Sequence, residues 1–84
     1  MRSRDRMNEG ASRRVRARLR SRFKLTAREA EVALLLGIRR TNREIAESIG
    51  VTEHTARHHT ESVLRKLGVP SRIEVHNVIT VDLG

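Results

Sequence analysis

The chain has 84 residues, 37% of them hydrophobic, which is enough for one small domain with a minimal core. It contains no cysteine, which excludes a disulfide framework and a cysteine-based zinc site, and no apolar run approaches the length of a membrane span. Phe23 is the one aromatic residue, which argues against the aromatic platforms on which single-stranded nucleic acid and RNA bases stack.

The net charge of +8 is concentrated at the N-terminal end. Residues 1–22 contain nine arginines and two acidic residues, whereas residues 23–84 contain nine basic and eight acidic residues. The sequence therefore divides into a basic arm, 1–22, and a nearly neutral domain, 23–84. Such an excess indicates a polyanionic partner, either nucleic acid or an anionic membrane surface. Because no apolar segment follows the basic start, we predict a cytoplasmic protein without a secretory signal.

The basic arm has two parts, and we expect the arm to be flexible. Residues 1–11 show no hydrophobic periodicity and are predicted to be disordered. In residues 12–23, Val15, Leu19 and Phe23 recur at every fourth position among arginines. This spacing is compatible with a weakly amphipathic helix, and the alternative is a mobile, solvated run of charge.

Helix start and stop signals divide the rest of the chain. Three capping boxes, each a hydroxyl residue followed three positions later by glutamate, open helices. These boxes begin at Thr26, Thr41 and Ser71. Thr52 is a further N-cap, and Gly50 and Gly68 suit the left-handed conformation just after a helix. The sequence, which has no alternating strand pattern, predicts an all-α domain of four short helices. The predicted helices are 27–37, 42–49, 53–67 and 72–80.

The second and third predicted helices are joined by Gly50, Val51 and Thr52. Two helices joined by a short turn containing glycine are typical of the helix-turn-helix, in which the second helix enters the DNA major groove. Ala46 is small and allows the two helices to approach closely. The sequence therefore predicts a tetrahelical helix-turn-helix domain with 53–67 as the recognition helix.

Helical periodicity divides the recognition helix into two faces. Five residues are predicted to pack inward: Ala56, His59, Thr60, Val63 and Leu67. Six are predicted to point outward: Arg57, His58, Glu61, Ser62, Arg65 and Lys66. Arg57 can form a bidentate pair with guanine, Glu61 can accept from a cytosine amino group, and His58 can donate to a purine N7.

Phosphate contacts are predicted near the helix N-termini, where free amide groups and the helix dipole favour anions. The residues that suit these contacts are Arg43, Thr52 and Thr55.

Residues 25–72 resemble the DNA-binding domain of the LuxR/FixJ family of bacterial transcription regulators. The resemblance rests on four blocks in the family's order and spacing, and it covers a little over half of the chain. The blocks are Leu25-Thr26-x-Arg28-Glu29-x-Glu31-Val32, Thr41-Asn42-Arg43-Glu44-Ile45-Ala46, Thr52-x-x-Thr55-x-Arg57-x-His59 and Lys66-Leu67-x-Val69-x-x-Arg72. The similar helix-turn-helix of region-four sigma factors usually lacks the last block.

This resemblance implies a sequence-specific transcription regulator that binds double-stranded DNA, with no membrane partner. It implies base contacts from Arg57, His58 and Glu61, backbone contacts from Arg43, Thr52 and Thr55, and a packing role for His59. We add Arg65, on the same outward face, to the predicted DNA contacts. The resemblance also implies a weak homodimer through the fourth helix, with Val75, Val78 and Ile79 as the predicted contact.

Two positions depart from the family pattern. Arg39 stands where the family usually has glycine, which leaves the conformation of that loop open, and Ala56 replaces an aliphatic residue, which thins the core. The family normally joins this domain to a receiver or ligand-sensing domain, and neither fits in 84 residues. We therefore expect a fragment or a single-domain regulator, cytoplasmic and associated with the nucleoid.

Other functions have less support from the residues. His54 and His58 are four residues apart and could share a metal ion, but two histidines are too few for a closed zinc site. Glu29 and Glu44 are accounted for by capping, and no nucleophile or phosphate-binding loop accompanies them. We therefore predict no metal, no cofactor and no enzymatic activity. The alternative is an RNA-binding or protein-interaction module that uses the Arg-rich arm and the fourth helix, since Arg-rich segments fold on RNA.

Overall fold

Five α-helices and a π-helical turn form the part of the chain that the structure describes. The computed structural model describes the backbone of residues 2–82 and the side chains of residues 10 and 12–81. The elements are α1 (Arg2–Phe23), α2 (Ala27–Gly37), α3 (Asn42–Ile49), α4 (Glu53–Leu67), α5 (Ile73–Asn77) and the π-helical turn Val78–Asp82. The predicted helices 27–37, 42–49 and 53–67 are confirmed, and the predicted helix 72–80 corresponds to α5 and most of the π-helical turn. The all-α prediction is therefore confirmed.

The central element of the core is α2, which packs against α1, α4 and α5, while α3 packs against α4. Every helix contributes at least one fully buried aliphatic side chain, because each carries an apolar stripe at helical spacing. The largest of these side chains are Leu19, Val32, Leu36, Ile45, Val63 and Val75. Burying each one contributes about 1.5–3 kcal/mol, so the loss of any of them is costly in a domain of this size.

The N-terminal segment is helical where the sequence predicted disorder. The sequence predicts disorder for 1–11, whereas the structure describes the backbone of residues 2–11 as part of α1, and Met1 lies outside the described residues. Arginine, methionine, glutamate and alanine are good helix formers, and no proline interrupts the segment. Over residues 12–23 the predicted amphipathic helix is present: the stripe of Val15, Leu19 and Phe23 packs against the core, and Leu19 is 0% exposed. The helix therefore crosses the predicted boundary between residues 22 and 23.

Two of the three predicted capping boxes are present. Thr26 Oγ1 accepts from the Glu29 backbone N–H at 3.1 Å, and the Glu29 side chain accepts from the Thr26 N–H at 2.9 Å. Thr41 and Glu44 make the same pair of bonds. Each cap satisfies amide groups that the first turn of a helix leaves without partners, and it is worth about 1 kcal/mol. These local bonds explain why α2 and α3 begin where the sequence predicts.

The third predicted capping box, Ser71 with Glu74, is wrong. An N-cap needs an extended backbone so that its side chain folds over the first turn. The residue before α5 is Arg72, which has helical dihedrals (φ −62°, ψ −26°) and makes no side-chain cap bond. The Glu74 N–H bonds instead to the backbone carbonyl of Ser71 at 3.1 Å.

Arg39, in the loop between α2 and α3, adopts the left-handed conformation with φ 64°. Its N–H donates to the Leu36 carbonyl at 2.9 Å, and the Arg40 N–H donates to the Leu35 carbonyl at 3.0 Å, so the loop closes tightly on the end of α2. Positive φ costs a residue with a side chain about 1–2 kcal/mol. Arg39 therefore occupies a position at which glycine would be unstrained.

Candidate nucleic-acid interface

Helices α3 and α4 form a helix-turn-helix. Gly50 takes φ 70°, and the backbone N–H groups of Gly50 and Val51 both donate to the Ala46 carbonyl. Thr52 then extends the chain, and its Oγ1 accepts from the Thr55 N–H at 3.1 Å, so that α4 begins at Glu53. The small side chains Ala46 and Ala56 are both buried within the two-helix unit.

The exposed face of α4 carries the side chains predicted to contact bases. Arg57, His58 and Glu61 are all exposed, and helical spacing places them on one side of the helix together with Arg65. Arg57 makes no hydrogen bond or ion pair with any residue that the structure describes. His58 Nδ1 lies 3.8 Å from Glu61 Oε1, and the guanidinium of Arg65 lies 3.4 Å from Ser62 Oγ. The side chains of this face therefore do not pack against the rest of the domain.

The residues predicted to contact phosphates lie at the starts of α3 and α4. Arg43 is exposed in the first turn of α3. The hydroxyl of Thr52 donates to Thr55 Oγ1 at 3.1 Å while accepting from the Thr55 N–H, so Thr52 is occupied as a cap. Thr55, as the acceptor, keeps its own hydroxyl proton for another partner. The two helix N-termini also present a partial positive charge.

Two α4 residues predicted to point outward instead contact a buried carboxylate. Ser62 Oγ donates to Glu29 Oε2 at 2.5 Å, and Lys66 Nζ donates to Glu29 Oε1 at 2.7 Å. Lys66 Nζ also lies 3.4 Å from the Lys24 carbonyl oxygen. The prediction that Ser62 and Lys66 point outward is therefore wrong. Their side of α4 faces α2, and Glu29 on α2 lies within hydrogen-bond distance of both. His59, predicted to pack inward, is half-buried.

Glu29 combines two roles, of which the sequence indicated only capping. Its side chain is 9% exposed. Burial alone would raise its pKa, but the hydrogen bonds from Lys66, from Ser62 and from the Thr26 backbone outweigh burial and lower the pKa to about 2. Glu29 is therefore a carboxylate at neutral pH and ties the N-terminus of α2 to the second half of α4.

A second set of long-range hydrogen bonds, which the sequence did not predict, holds the start of α3. The Arg72 guanidinium donates to Asn42 Oδ1 at 2.9 Å and to the Arg40 carbonyl at 3.3 Å. Thr60 Oγ1 lies 3.5 Å from the same Asn42 oxygen. Both Asn42 and Arg72 belong to the blocks that resemble the family, and this was the signal from which their contact could have been predicted. The Arg72 bonds fix the first turn of α3, and with it Arg43, relative to the start of α5, and the Thr60 contact connects the same turn to α4.

The predicted dimer contact on the fourth helix is largely internal. Val75 is 0% exposed and belongs to the core, while Val78 and Ile79 are half-buried against it. The prediction placed this apolar face at the surface, but the domain's own α2 packs against α5, so Val75 is not available to a second chain. The exposed apolar side chains of this region are Ile73, 63% exposed, and Val81, 79% exposed.

Helix α1 presents a dense set of arginines to solvent. No acidic residue occurs between Gly10 and Lys24. Five arginines of this segment are exposed and Arg16 is half-buried. The exposed ones are Arg13, Arg14, Arg18, Arg20 and Arg22. The Arg22 guanidinium carbon lies 5.5 Å from the centre of the Phe23 ring, a cation–π distance.

The histidines are distributed over two helices. His54 and His58, both exposed on α4, approach each other with 3.1 Å between their Nε2 atoms. His76 Nδ1 lies 2.9 Å from the Gly37 carbonyl oxygen. Among the described residues, no three or more His, Cys, Asp or Glu side chains are grouped so that they could hold a metal ion. None of the helices in residues 2–82 is long and apolar enough to cross a membrane.

Known proteins share this domain. Residues 24–79 match the family described as "Bacterial regulatory proteins, luxR family". The spore germination protein GerE of Bacillus subtilis is 44% identical over 48 residues, which are 57% of this chain and 65% of GerE. The HTH-type transcriptional activator RamA of Corynebacterium glutamicum is 38% identical over 60 residues, 71% of this chain and 21% of RamA. The transcriptional regulatory protein LnrK of Bacillus subtilis is 42% identical over 50 residues, 60% of this chain and 23% of LnrK.

The chain therefore spans less than two thirds of the length of each of these relatives. No solved structure matches it. The family match nevertheless covers more than half of the chain and includes α2 to α5. The resemblance found in the sequence is thereby confirmed, and the chain belongs to the LuxR family of bacterial regulatory proteins.

Proposed function

We propose that this chain is a transcription regulator that binds double-stranded DNA sequence-specifically, with α4 in the major groove. The observation that carries the proposal is the exposed face of α4, where Arg57, His58 and Glu61 stand together and Arg57 has no partner among the described residues. Family membership and the relatives named as transcriptional activator and regulatory protein support a regulatory role.

Each of the three side chains suits a different base edge. The guanidinium of Arg57 pairs with O6 and N7 of guanine, the Glu61 carboxylate accepts from the amino group of cytosine, and His58 donates to a purine N7. A bidentate pair of the first kind is worth about 1–3 kcal/mol of discrimination between bases. Arg57 is therefore the residue that we expect to contribute most to specificity.

Phosphate contacts would orient α4 in the groove. Arg43 at the start of α3, Thr55 in the first turn of α4, and Thr52 at its cap lie beside helix N-termini that attract anions. Arg65, further along the exposed face, is the remaining proposed contact. Such contacts fix the register of the protein on the duplex without carrying sequence information.

The arginines of α1 form a second proposed DNA contact. They number six between residues 13 and 22, and the packing of Leu19 holds this part of α1 on the domain. Phosphates are the ligands that match a dense, fixed set of guanidinium groups. We propose that this surface adds affinity on every duplex.

Weak dimerisation on DNA is proposed through the C-terminal region. Because Val75 is in the core, the contact would be made by the exposed Ile73 and Val81, beside the half-buried Val78 and Ile79. Two such domains would bind an inverted repeat whose half-site centres are about one helical turn apart.

Selection of bound sequences from random duplex DNA, followed by competition with structured RNA at matched salt, tests the proposal. We expect one recovered motif, and binding to it that excess RNA does not displace. Recovery of no motif, together with tighter binding to RNA, would instead support the RNA-binding alternative through the arginines of α1.

A further inference from the structure

The exposed face of α4 holds a pair of histidines whose geometry indicates a role in addition to base recognition. His54 Nε2 and His58 Nε2 lie 3.1 Å apart, with the ring centroids 4.5 Å apart and the ring planes at 86°. Both residues are exposed, so a solute can reach the two nitrogens. In contrast to the sequence, which predicted no metal because two histidines cannot close a zinc site, we propose that His54 and His58 together bind one divalent transition-metal ion at an open site. Zn²⁺ and Ni²⁺ are the test cases, and the bound ion would oppose DNA binding.

The separation of the two nitrogens suits a chelate. A zinc ion forms bonds of about 2.0–2.1 Å to histidine nitrogen. From two Nε2 atoms 3.1 Å apart, such bonds meet at an angle of about 100°, between the octahedral and tetrahedral values. Imidazole is a favoured ligand of zinc, copper and nickel. Without a metal, the same approach is a hydrogen bond in which one ring donates to the other.

The surroundings of His58 Nδ1, on the other side of the ring, also favour a metal at Nε2. Glu61 Oε1 lies 3.8 Å from His58 Nδ1. When a metal takes the Nε2 lone pair, the ring proton is on Nδ1, and a carboxylate on this side is placed to attract that proton. Glu61 would therefore act through His58 and not as a ligand.

The site would be open, because the described residues supply no third protein ligand. Water molecules would complete the coordination. The two ligands nevertheless come from one helix, at the spacing of a single turn, and the Thr52 cap fixes the start of that helix. The helix therefore holds the two nitrogens close together, and rotation of the exposed rings about their side-chain bonds would direct both lone pairs at the ion.

Binding of a metal at this place would oppose DNA binding, and this part of the inference rests on the proposed function. The Nε2 atom of His58 cannot coordinate a metal and donate to a purine N7 at the same time. A hydrated ion would also stand between the exposed face of α4 and the bases. By linkage, metal and specific DNA would weaken each other's binding by the same factor.

The first test is titration of the untagged full chain with Zn²⁺ and Ni²⁺ by calorimetry. We expect saturable binding of one ion per chain, lost in both His54→Gln and His58→Gln. His76→Gln, on α5, is the matched control and should bind as the unmodified chain does. Chemical-shift changes confined to the rings of His54 and His58 would identify the ligands. Absence of saturable binding, or binding that survives both substitutions, would overturn the site.

The second test measures affinity for the selected duplex with and without saturating Zn²⁺. We expect the metal to weaken binding by at least about fivefold, and the effect to disappear in His54→Gln. Unchanged or tighter DNA binding at saturation would overturn the coupling. If the metal-free chain prefers no duplex sequence, the proposed function fails, while the calorimetric result on the metal site stands by itself.

Discussion

Lys66 Nζ lies 2.7 Å from Glu29 Oε1, and this ion pair joins the last turn of α4 to the first turn of α2. The same carboxylate accepts from Ser62 and caps its own helix through Thr26. One buried side chain thus combines a local helix-start bond with two long-range bonds. The position of α4 on the core therefore depends on the ionised state of Glu29.

Acid should destabilise the domain through Glu29. Its pKa in the folded chain is about 2, below the ordinary value of 4.5, so its contribution is complete above about pH 4.5 and is lost as the pH falls towards 2. Between pH 7 and pH 3 we expect the free energy of unfolding to fall by about 2 kcal/mol from this group. Urea denaturation at pH 7, 5 and 3 measures this change.

The Glu29→Gln variant should lose this acid dependence and be less stable at pH 7, because Lys66 would keep its charge without its partner. The matched control is Glu31→Gln, since Glu31 is half-exposed and, among the described residues, pairs only with Arg28 at 3.7 Å. An equal fall in stability with pH in both variants would contradict the role given to Glu29.

Arg39→Gly should stabilise the domain. The residue has φ 64°, and glycine removes the strain of the left-handed conformation while giving back part of the gain as unfolded-state entropy. We expect a gain of about 1 kcal/mol in urea denaturation. Arg40→Gly is the control, because Arg40 is not among the described residues with positive φ, and it should lose about 0.5–1 kcal/mol. Changes of the same sign in both variants would contradict the explanation.

Arg57→Ala should reduce specificity. On the selected site we expect a loss of about 1–3 kcal/mol and relaxed preference at one base pair, because a bidentate contact to guanine is removed. Arg43→Ala should instead weaken binding equally on selected and random duplexes. Fluorescence anisotropy on the selected site, its single-base variants and a random duplex separates the two. If Arg57→Ala weakens binding to all of them equally, Arg57 contacts only phosphate.

Replacing three exposed arginines of α1, Arg13, Arg14 and Arg20, by glutamine should flatten the salt dependence of DNA binding. The slope of log K against log salt should fall by about 0.9 for each phosphate that the variant no longer neutralises. Deleting 1–22 would be a poor test, because it removes Leu19 from the core. We expect weaker binding on every duplex and the same preferred sequence. A slope unchanged from the parent chain would show that α1 does not contact DNA.

Ile73→Ser with Val81→Ser should abolish cooperative binding to an inverted repeat without affecting folding, because both side chains are exposed. Val75→Ala should instead lower stability, by about 1.5–3 kcal/mol, because Val75 is in the core. Gel shifts on one and two half-sites and thermal melts provide the comparison. Retained cooperativity in the double variant would place the dimer contact elsewhere.

The helices of the domain could be predicted from the sequence because their boundaries depend on local interactions. Thr26 and Thr41 each bond to a residue three positions away, and Gly50 permits a backbone conformation that few other residues adopt. Ser71 shows the limit of such signals. It has the right partner at the right spacing, but the backbone at Arg72 is helical, and the box does not form.

The faces of the helices were harder to predict, because a pattern shows which side is apolar but not what covers it. Ser62 and Lys66 look like surface residues until Glu29, more than thirty positions earlier, is placed opposite them. Arg72 and Asn42 are likewise thirty positions apart. Val75 belongs to an apolar face that was predicted to be exposed and that the chain itself covers.

The anchoring of α1 by Leu19 has a consequence for the thermodynamics of DNA binding. An unstructured basic arm would have to be ordered on the duplex, at about 1–2 kcal/mol of backbone entropy for each residue fixed. Such coupled folding gives a large negative heat-capacity change on binding. A helix already packed on the domain avoids both effects. We therefore expect α1 to favour binding through the entropy of the counterions that it releases from DNA. Calorimetry at several temperatures should show that α1 adds little to the heat-capacity change on binding.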